Sequence, residues 1–267
     1  MGRFDDQVVV VTGGAQGIGR AAALKFAGEG AAVAIVDMNR DSGGKTAAEI
    51  QGSGGRAEFF YADVSKSADV RDAVAKIKDS FRRIDVLYNN ASIFLPGKDG
   101  AVVDVDEEVW DRILAVNLKS VYLFCKYTIP HMVEAGKGVI INTSSSCGLI
   151  GIPNCDAYSA SKGATAILTK SLAVEYGPKK IRVNCIAPAA IKTPMLDSSD
   201  IGNESFDEER FLKLRSPIRR YGEPEEIASI AVFLASDQGS YLNGAVIVAD
   251  GGITISGDQS KIDTDYT

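Results

Sequence analysis

The 267-residue chain is poor in metal-binding and disulfide-forming residues. It has a single histidine, His131, and four cysteines without a C-x-x-C pair. Zinc sites and disulfide frameworks need closely spaced Cys and His residues, so we predict no bound metal and four reduced thiols. His131 lies in an apparently helical stretch and is assigned no function.

Long apolar runs, a signal-peptide layout and dense basic clusters are also missing. A membrane-spanning helix needs about 18 consecutive apolar residues, and none are found. The net charge of -6 and the scattered Lys and Arg residues do not suit a phosphate backbone. We therefore predict a cytoplasmic protein with no membrane partner and no nucleic acid partner. The length suits one α/β domain spanning residues 1–267.

A glycine-rich turn follows the first apolar, β-branched run. Val8–Val11 leads into Thr12-Gly-Gly-Ala-Gln-Gly-Ile-Gly19 and then into an alanine-rich helical segment. Such a turn lets the backbone approach a pyrophosphate closely, while the free N–H groups of the helix N-terminus point at it. The sequence therefore predicts dinucleotide binding, with Gly13, Gly17 and Gly19 providing the room.

Asp37 ends the second apolar run, about 20 residues past the glycine turn. An acidic side chain at this place accepts hydrogen bonds from the adenine ribose hydroxyls and repels a 2′-phosphate. NAD is therefore predicted over NADP. Arg40 is the one nearby feature that could soften the preference, and a helix-capping or loop role is the alternative for Asp37.

Tyr158 and Lys162 are four residues apart, which places both side chains on one face of a helix. A neighbouring ammonium group favours the phenolate, and lowering the pKa of a tyrosine by roughly three requires about 4 kcal/mol. A tyrosine tuned in this way can exchange a proton with a substrate oxygen. The pair alone is a weak signal, but together with Ser145 and the glycine turn it indicates an enzyme.

Short apolar runs alternate with helical patterns along the chain. This alternation predicts an α/β, doubly wound fold, with a parallel sheet of about seven strands and helices on both faces. Ligands of such sheets bind beyond the carboxyl ends of the strands, where Asp37, Asp63, Asn89, Ser145 and Pro188 are expected. The runs are Val8–Val11, Val33–Val36, Glu58–Tyr61, Val86–Tyr88, Val139–Asn142, Arg182–Ile186 and Val246–Val248.

From about Gln7 to about Gly252, the chain resembles the short-chain dehydrogenase/reductase family, whose single Rossmann domain binds a nicotinamide dinucleotide. The family's Asn-Asn-Ala-Gly motif reads Asn89-Asn90-Ala91-Ser92 here, and its Pro-Gly reads Pro188-Ala189. These two departures are expected to reshape the pocket wall. The resemblance places the cofactor against Gly13, Gln16, Gly17, Ile18, Gly19, Asp37, Asp63, Val64, Asn90, Ala91, Tyr158, Lys162, Pro188, Ile191 and Thr193.

The resemblance also implies the catalytic set Asn117, Ser145, Tyr158 and Lys162. Three serines stand together at 144–146; Ser145 has the family's spacing to Tyr158, and Ser144 is the fallback. Tyr158 would be the acid/base and Ser145 would hold the substrate oxygen. Lys162 would lower the pKa of Tyr158 and hold the nicotinamide ribose, and Asn117 would fix a water molecule.

The implied activity is metal-independent, reversible hydride transfer between NAD(H) and a secondary alcohol or ketone. The expected pocket is neutral and mostly small or apolar, which favours a neutral substrate, with cyclic compounds among the candidates. The alternatives are a sugar or polyol dehydrogenase, a 3-oxoacyl-thioester reductase, and a non-catalytic dinucleotide-binding regulator. The predicted pocket residues are Ser92, Phe94, Leu95, Ser146, Cys147, Asn154, Cys155, Ala189, Ala190, Met195 and Leu196.

Two segments depart from the alternating pattern. Residues 192–220 are polar with a short helical piece near 206–214, and the resemblance makes this stretch a lid over the substrate, with Met195, Leu196 and Phe211 closing on it. The polar tail at about 253–267 is expected to be disordered or to cross a subunit interface. The resemblance implies a homo-oligomer, a dimer or tetramer, packed through the long helices around 122–133 and 158–175.

Overall fold

A computed structural model of the chain describes residues 2–197 and 207–256. In this part of the chain, seven parallel strands form one sheet with the order β3-β2-β1-β4-β5-β6-β7. The predicted seven-stranded, doubly wound α/β fold is confirmed, and the strand bounds lie within two residues of the predicted ones. The strands are β1 (Val8–Thr12), β2 (Ala32–Asp37), β3 (Arg56–Tyr61), β4 (Val86–Asn89), β5 (Gly138–Thr143), β6 (Ile181–Pro188) and β7 (Val246–Ala249).

The apolar, β-branched strands form because both faces of the sheet are buried. In β1, Val8 and Val10 belong to one hydrophobic cluster, while Val9 and Val11 belong to a second cluster on the opposite face. This alternation follows from the two-residue period of a strand, and a parallel sheet covered by helices needs apolar side chains on both faces. The strand order reverses between β1 and β4, so the carboxyl ends of these strands border the crevice in which ligands of such folds bind.

The helices cover both faces of this sheet, and a π-helical turn at Ala115–Lys119 joins two of them. Among the described residues, no helix is both long enough and apolar enough to cross a membrane. The helices are α1 (Gly17–Gly28), α2 (Arg40–Gly52), α3 (Ser67–Phe81), α4 (Glu107–Leu114), α5 (Ser120–Glu134), α6 (Asp156–Tyr176), α7 (Pro194–Asp197), α8 (Glu208–Arg215) and α9 (Pro224–Ala235).

The described residues of the predicted lid form two short helices. α7 was not predicted, and α8 corresponds to the helical piece expected near 206–214. The predicted tail is described only as far as the 3-10 turn Ile253–Ile255 and Ser256. Residues 198–206 of the predicted lid and 257–267 of the predicted tail lie outside the described residues.

Candidate active site

A cavity of about 1070 Å³ lies at the carboxyl ends of the strands. Its lining includes the side chains that follow β2, β3, β4, β5 and β6, which is the edge that the strand pattern indicated. Most predicted cofactor and substrate residues line this one cavity; Gly19, Leu95 and Asn117 do not. Gly19 is needed for packing, because an added Cβ would collide with the carbonyl group of Gly13.

The glycine turn between β1 and α1 fits a negatively charged diphosphate. Gly13 and Gly17 have φ angles of +66° and +53°, a region that favours glycine, and a Cβ on Gly17 would lie 3.2 Å from the methyl group of Thr193. The N-cap residue Gln16 makes no side-chain capping bond, and the first turn of α1 has no acidic residue. The free N–H groups and the positive end of α1 therefore suit an anion.

Asp37 lies at the end of β2 beside this turn. Its Oδ2 accepts a hydrogen bond from the backbone N–H of Ala15 at 3.1 Å, and its Oδ1 accepts one from that of Asn39 at 2.9 Å. These bonds fix a carboxylate at the cavity wall, and its remaining lone pairs are available to ribose hydroxyls. Arg40, the expected softening influence, stacks its guanidinium carbon 3.9 Å from the ring centroid of Tyr61.

In the Asn89-Asn90-Ala91 segment, Asn89 points into the core, whereas Asn90 and Ala91 line the cavity. Asn89 is buried and donates to Oδ1 of Asn142 at 2.9 Å, so it joins two strands of the sheet. Asn89 was expected to line the cavity, and it does not. Asn90 donates from Nδ2 to the carbonyl oxygen of Thr12 at 3.2 Å, and thereby fastens the loop after β4 to the glycine turn.

Tyr158, Ser145 and Lys162 meet at one wall of the cavity. Ser145 lines the cavity and acts to lower the pKa of Tyr158, whereas Ser144 turns inward and donates to the carbonyl oxygen of Lys162 at 2.8 Å. Nζ of Lys162 donates to the carbonyl oxygen of Thr143 at 2.9 Å and lies 5.6 Å from the ring centroid of Tyr158. The geometry therefore favours Ser145 over the fallback Ser144.

Burial is the largest cause of the pKa shifts of Tyr158 and Lys162. It raises the pKa of Tyr158, the nearby charge of Cys147 raises it further, and hydrogen bonds with Ser145 and Ser92 act in the opposite direction. Burial also lowers the pKa of Lys162 to about 8. The pKa of Tyr158 is thus raised and not lowered as expected, because removal from water disfavours the charged forms of both side chains.

The low pKa of Lys162 predicts a pH dependence of stability. Between pH 8 and its ordinary pKa of 10.5, the unfolded chain keeps a proton that the folded chain has lost, so stability rises with pH in this window. Between pH 8 and 10.5, we expect the free energy of unfolding of the wild-type protein to rise by about 3 kcal/mol more than that of Lys162→Met. Urea unfolding of both proteins at each pH measures this, and a constant difference would contradict the prediction.

Asn117 lies behind the catalytic wall, within the π-helical turn. It is buried, and its Oδ1 accepts hydrogen bonds from the backbone N–H of Ile93 at 2.8 Å and from Oγ of Ser92 at 3.2 Å. Its Nδ2 donates to Oγ of Ser161 at 3.2 Å. π turns often mark functional sites. Ser92, where the family motif has glycine, contacts both Asn117 and Tyr158.

Comparisons with known proteins identify the family. A family model described as enoyl-(acyl carrier protein) reductase matches residues 13–254. The chain belongs to the short-chain dehydrogenase/reductase family. It is therefore an oxidoreductase that uses a nicotinamide dinucleotide to interconvert an alcohol and a ketone.

Relatives at high coverage support this assignment. Cyclopentanol dehydrogenase of Comamonas sp. is 41% identical and is matched over 95% of this chain and 99% of its own length. Cyclohexanol dehydrogenase of Acinetobacter sp. is 36% identical, with 94% and 96% coverage. The solved structure of levodione reductase superposes with a TM-score of 0.88 at 36% identity, covering 95% of this chain and all of that one.

The short-chain dehydrogenase/reductase chain also uses a residue that the sequence did not reveal. Asp99 is buried, and its carboxylate accepts hydrogen bonds from the backbone N–H groups of Ala157 at 3.1 Å and Tyr158 at 2.9 Å. The N-cap residue of α6, Cys155, makes no side-chain capping bond. A carboxylate 59 positions earlier thus caps the helix that carries Tyr158 and Lys162. No short-range pattern signals such a pairing.

Removing the charge of Asp99 is expected to weaken the start of α6. Asn offers one acceptor oxygen where the carboxylate offers two, so Asp99→Asn should lower the free energy of unfolding by about 1–2 kcal/mol. Urea denaturation measures this change. Asp104→Asn, which removes a second acidic group from the cavity wall, is the control, and equal stability of the two variants would contradict the capping role.

The substrate end of the cavity is lined by the predicted small and apolar side chains. The ring of Phe94 contacts that of Tyr158 edge to face, with centroids 5.1 Å apart. Within the described part of the chain, no three acidic, histidine or cysteine side chains cluster as metal ligands do. The cavity also has charged members that were not predicted, Lys98, Asp99, Asp104, Arg112 and Arg215. The predicted residues that line it are Ser92, Phe94, Ser146, Cys147, Asn154, Cys155, Ala189, Ala190, Met195, Leu196 and Phe211.

Proposed function

We propose that the chain is an NAD-dependent dehydrogenase of neutral, cyclic secondary alcohols that also reduces the corresponding ketones. The observation that carries the proposal is that Tyr158, Ser145 and Lys162 line the same cavity as the glycine turn. The names of two relatives, cyclopentanol and cyclohexanol dehydrogenases, support cyclic substrates.

The nicotinamide ring supplies or accepts the hydride. In reduction, the hydroxyl group of Tyr158 donates its proton to the carbonyl oxygen, and in oxidation the tyrosine oxygen takes the proton of the substrate hydroxyl. Ser145, which lines the cavity with Tyr158, holds and orients the same substrate oxygen. Because burial raises the pKa of Tyr158, the phenol is neutral near pH 7 and ready to donate. Oxidation requires that this proton be released first, so alkaline pH should favour it.

Lys162 places a cation behind the reacting oxygen. Its ammonium group is anchored by the carbonyl oxygen of Thr143 and can turn one of its remaining N–H donors toward the nicotinamide ribose. Burial strengthens its effect, since charges interact more strongly where water is excluded. Asn117 fixes the backbone of Ile93 and the hydroxyl of Ser92 behind this wall, and we propose that it also holds a water molecule that connects Lys162 with solvent.

We propose NAD as the cofactor because of the position of Asp37. Its carboxylate is held at the cavity wall by two backbone N–H groups, where a 2′-phosphate would meet its negative charge. The guanidinium group of Arg40, which would offset that charge, is stacked on Tyr61. Asp63 and Val64 would form the adenine side of the site, which they line together with Arg112.

The substrate end is suited to a compact, mostly apolar ring. Phe94 and the small side chains of Ala189 and Ala190 provide apolar contact, and Ser145 provides the polar group that a single alcohol oxygen needs. We propose that Met195 and Leu196 of α7 cover this end, since both line the cavity.

The test is NADH formation by the purified protein with NAD and a panel of cyclopentanol, cyclohexanol, linear secondary alcohols, sugars and polyols, repeated with NADP. The highest kcat/KM is expected for a cyclic alcohol with NAD. Preference for a polyol would favour the sugar-dehydrogenase alternative. Reduction of a 3-oxoacyl thioester with NADPH would favour the acyl-reductase alternative. Binding of NADH without turnover would favour a regulator.

We also propose a homo-oligomer, a dimer or tetramer, that packs through α5 and α6. Both helices carry exposed apolar side chains, among them Tyr122, Ile167 and Val174. The molar mass from light scattering tests this directly.

A further inference from the structure

Two cysteines lie together in the substrate end of the cavity. Cys147 is in the 3-10 turn after β5, and Cys155 immediately precedes α6. Both line the cavity beside Tyr158, both are free thiols, and each side chain shifts the pKa of the other. Neither thiol has a part in the proposed hydride transfer.

The two thiols differ in chemical character. The hydrogen bond from Cys155 is the largest cause that lowers the pKa of Cys147, and the same contact raises the pKa of Cys155. Cys147 is partly exposed to the cavity, whereas Cys155 is buried and contacts the carbonyl oxygen of Ile152 at 3.3 Å and Oγ of Ser159 at 3.4 Å. An exposed thiolate beside a protonated thiol is the arrangement of an attacking and a resolving cysteine.

The other two cysteines provide an internal comparison. Cys125 and Cys185 are buried in the hydrophobic interior, and burial raises their pKa to about 12 and about 11. Thiols of this kind react slowly with oxidants, since the thiolate is the reactive form.

We propose that Cys147 and Cys155 form an oxidation site at which a small hydroperoxide, entering through the substrate cavity, closes an intramolecular disulfide. The thiolate of Cys147 attacks one peroxide oxygen, the O–O bond breaks, and water leaves after taking up a proton, which makes Cys147 a sulfenic acid. The sulfur of Cys155 then attacks that of Cys147, the S–O bond breaks, and the hydroxide leaves as water with the proton of Cys155. Two thiols are oxidised by two electrons, and one hydrogen peroxide is reduced to two waters.

Closing the disulfide changes the substrate end and leaves the cofactor end intact. A disulfide needs an S–S distance of about 2.05 Å, and closing one draws the turn after β5 toward the start of α6. Ser145 is bonded to this turn through the N–H of Cys147 at 3.2 Å, and Tyr158 is in the first turn of α6. Asn154, with a φ of 61°, precedes Cys155 at the bend that must adjust. Turnover should therefore stop while dinucleotide binding persists.

The experiment treats the full chain with hydrogen peroxide, blocks the remaining thiols by alkylation, and maps the peptides by mass spectrometry. The expected result is a Cys147–Cys155 cross-link whose formation parallels the loss of turnover, with recovery after dithiothreitol. NADH binding, read by fluorescence, should remain. Because the cross-link and NADH binding are measured without substrate, this outcome can be read even if the proposed alcohol dehydrogenase activity is absent.

Variants identify the attacking and resolving residues. Cys147→Ser should lower the rate of peroxide oxidation of the cavity thiols about tenfold, since it removes the lower-pKa thiol. Cys155→Ser should still be oxidised, and should accumulate a sulfenic acid that dimedone captures on Cys147. Cys125→Ala should form the cross-link as the wild-type protein does. A cross-link that involves Cys125 or Cys185, no cross-link at all, or a cross-link with full turnover would each overturn the proposal.

Discussion

Tyr158→Phe should lower kcat about a thousandfold, within the range that general acid/base catalysis contributes, while the affinity for NADH changes little. The variant keeps the ring that packs against Phe94, 5.1 Å away between centroids, and removes only the hydroxyl group that exchanges the proton. The substrate oxygen then has Ser145 as a hydrogen-bond partner but no proton donor, so the loss should appear in the chemical step.

Steady-state kinetics with the best alcohol of the panel and fluorescence titration with NADH measure the two effects separately. Tyr241→Phe removes a phenol hydroxyl from a fully exposed side chain and is the matched control. Near-normal turnover in Tyr158→Phe would falsify the assignment of Tyr158 as the acid/base, whatever the substrate.

Asp37→Asn should change the ratio of kcat/KM for NADP to that for NAD by about a thousandfold. A carboxylate and a phosphate charge about 4 Å apart repel each other by about 4 kcal/mol at an effective dielectric constant of 20, and the amide removes that repulsion. Asn retains a side-chain oxygen for one of the two backbone N–H groups that Asp37 binds, so the turn should hold its shape.

Kinetics with both cofactors at low salt measure this ratio, because screening weakens charge effects. Asp41→Asn removes the same charge four residues later, from the first turn of α2, and its ratio should stay close to that of the wild-type protein. If both variants shift the ratio equally, the discrimination arises from net charge and not from the position of Asp37.

Most of the fold could be predicted from local patterns. The seven apolar runs gave strand bounds within two residues, since a strand buried on both faces of a parallel sheet must be apolar along its length. α7 was missed, because a helix of four residues carries no periodicity and depends on what it contacts. The π-helical turn around Asn117 could not be predicted, since it has no sequence pattern of its own.

In the candidate site, too, the features set by local sequence could be predicted and those set by distant contacts could not. The glycine turn, Asp37 and the Tyr158–Lys162 spacing are readable because each depends on residues close together in the chain. Asn89, in contrast, was expected at the cavity edge but turns into the core to pair with Asn142 from the neighbouring strand. Asp99 was missed because its partners lie 58 and 59 positions away.

The sequence by itself thus determined the parallel α/β fold, the dinucleotide turn and the spacing of Tyr158 and Lys162, because backbone geometry and short-range patterns dictate them. Only the tertiary structure decided which serine faces Tyr158, that Asp99 caps α6, and that Cys147 meets Cys155. It also decided the direction of the pKa shifts, since burial raises the pKa of Tyr158 and lowers that of Lys162. These properties depend on the removal of water and on contacts between distant segments, and neither exists until the chain has folded.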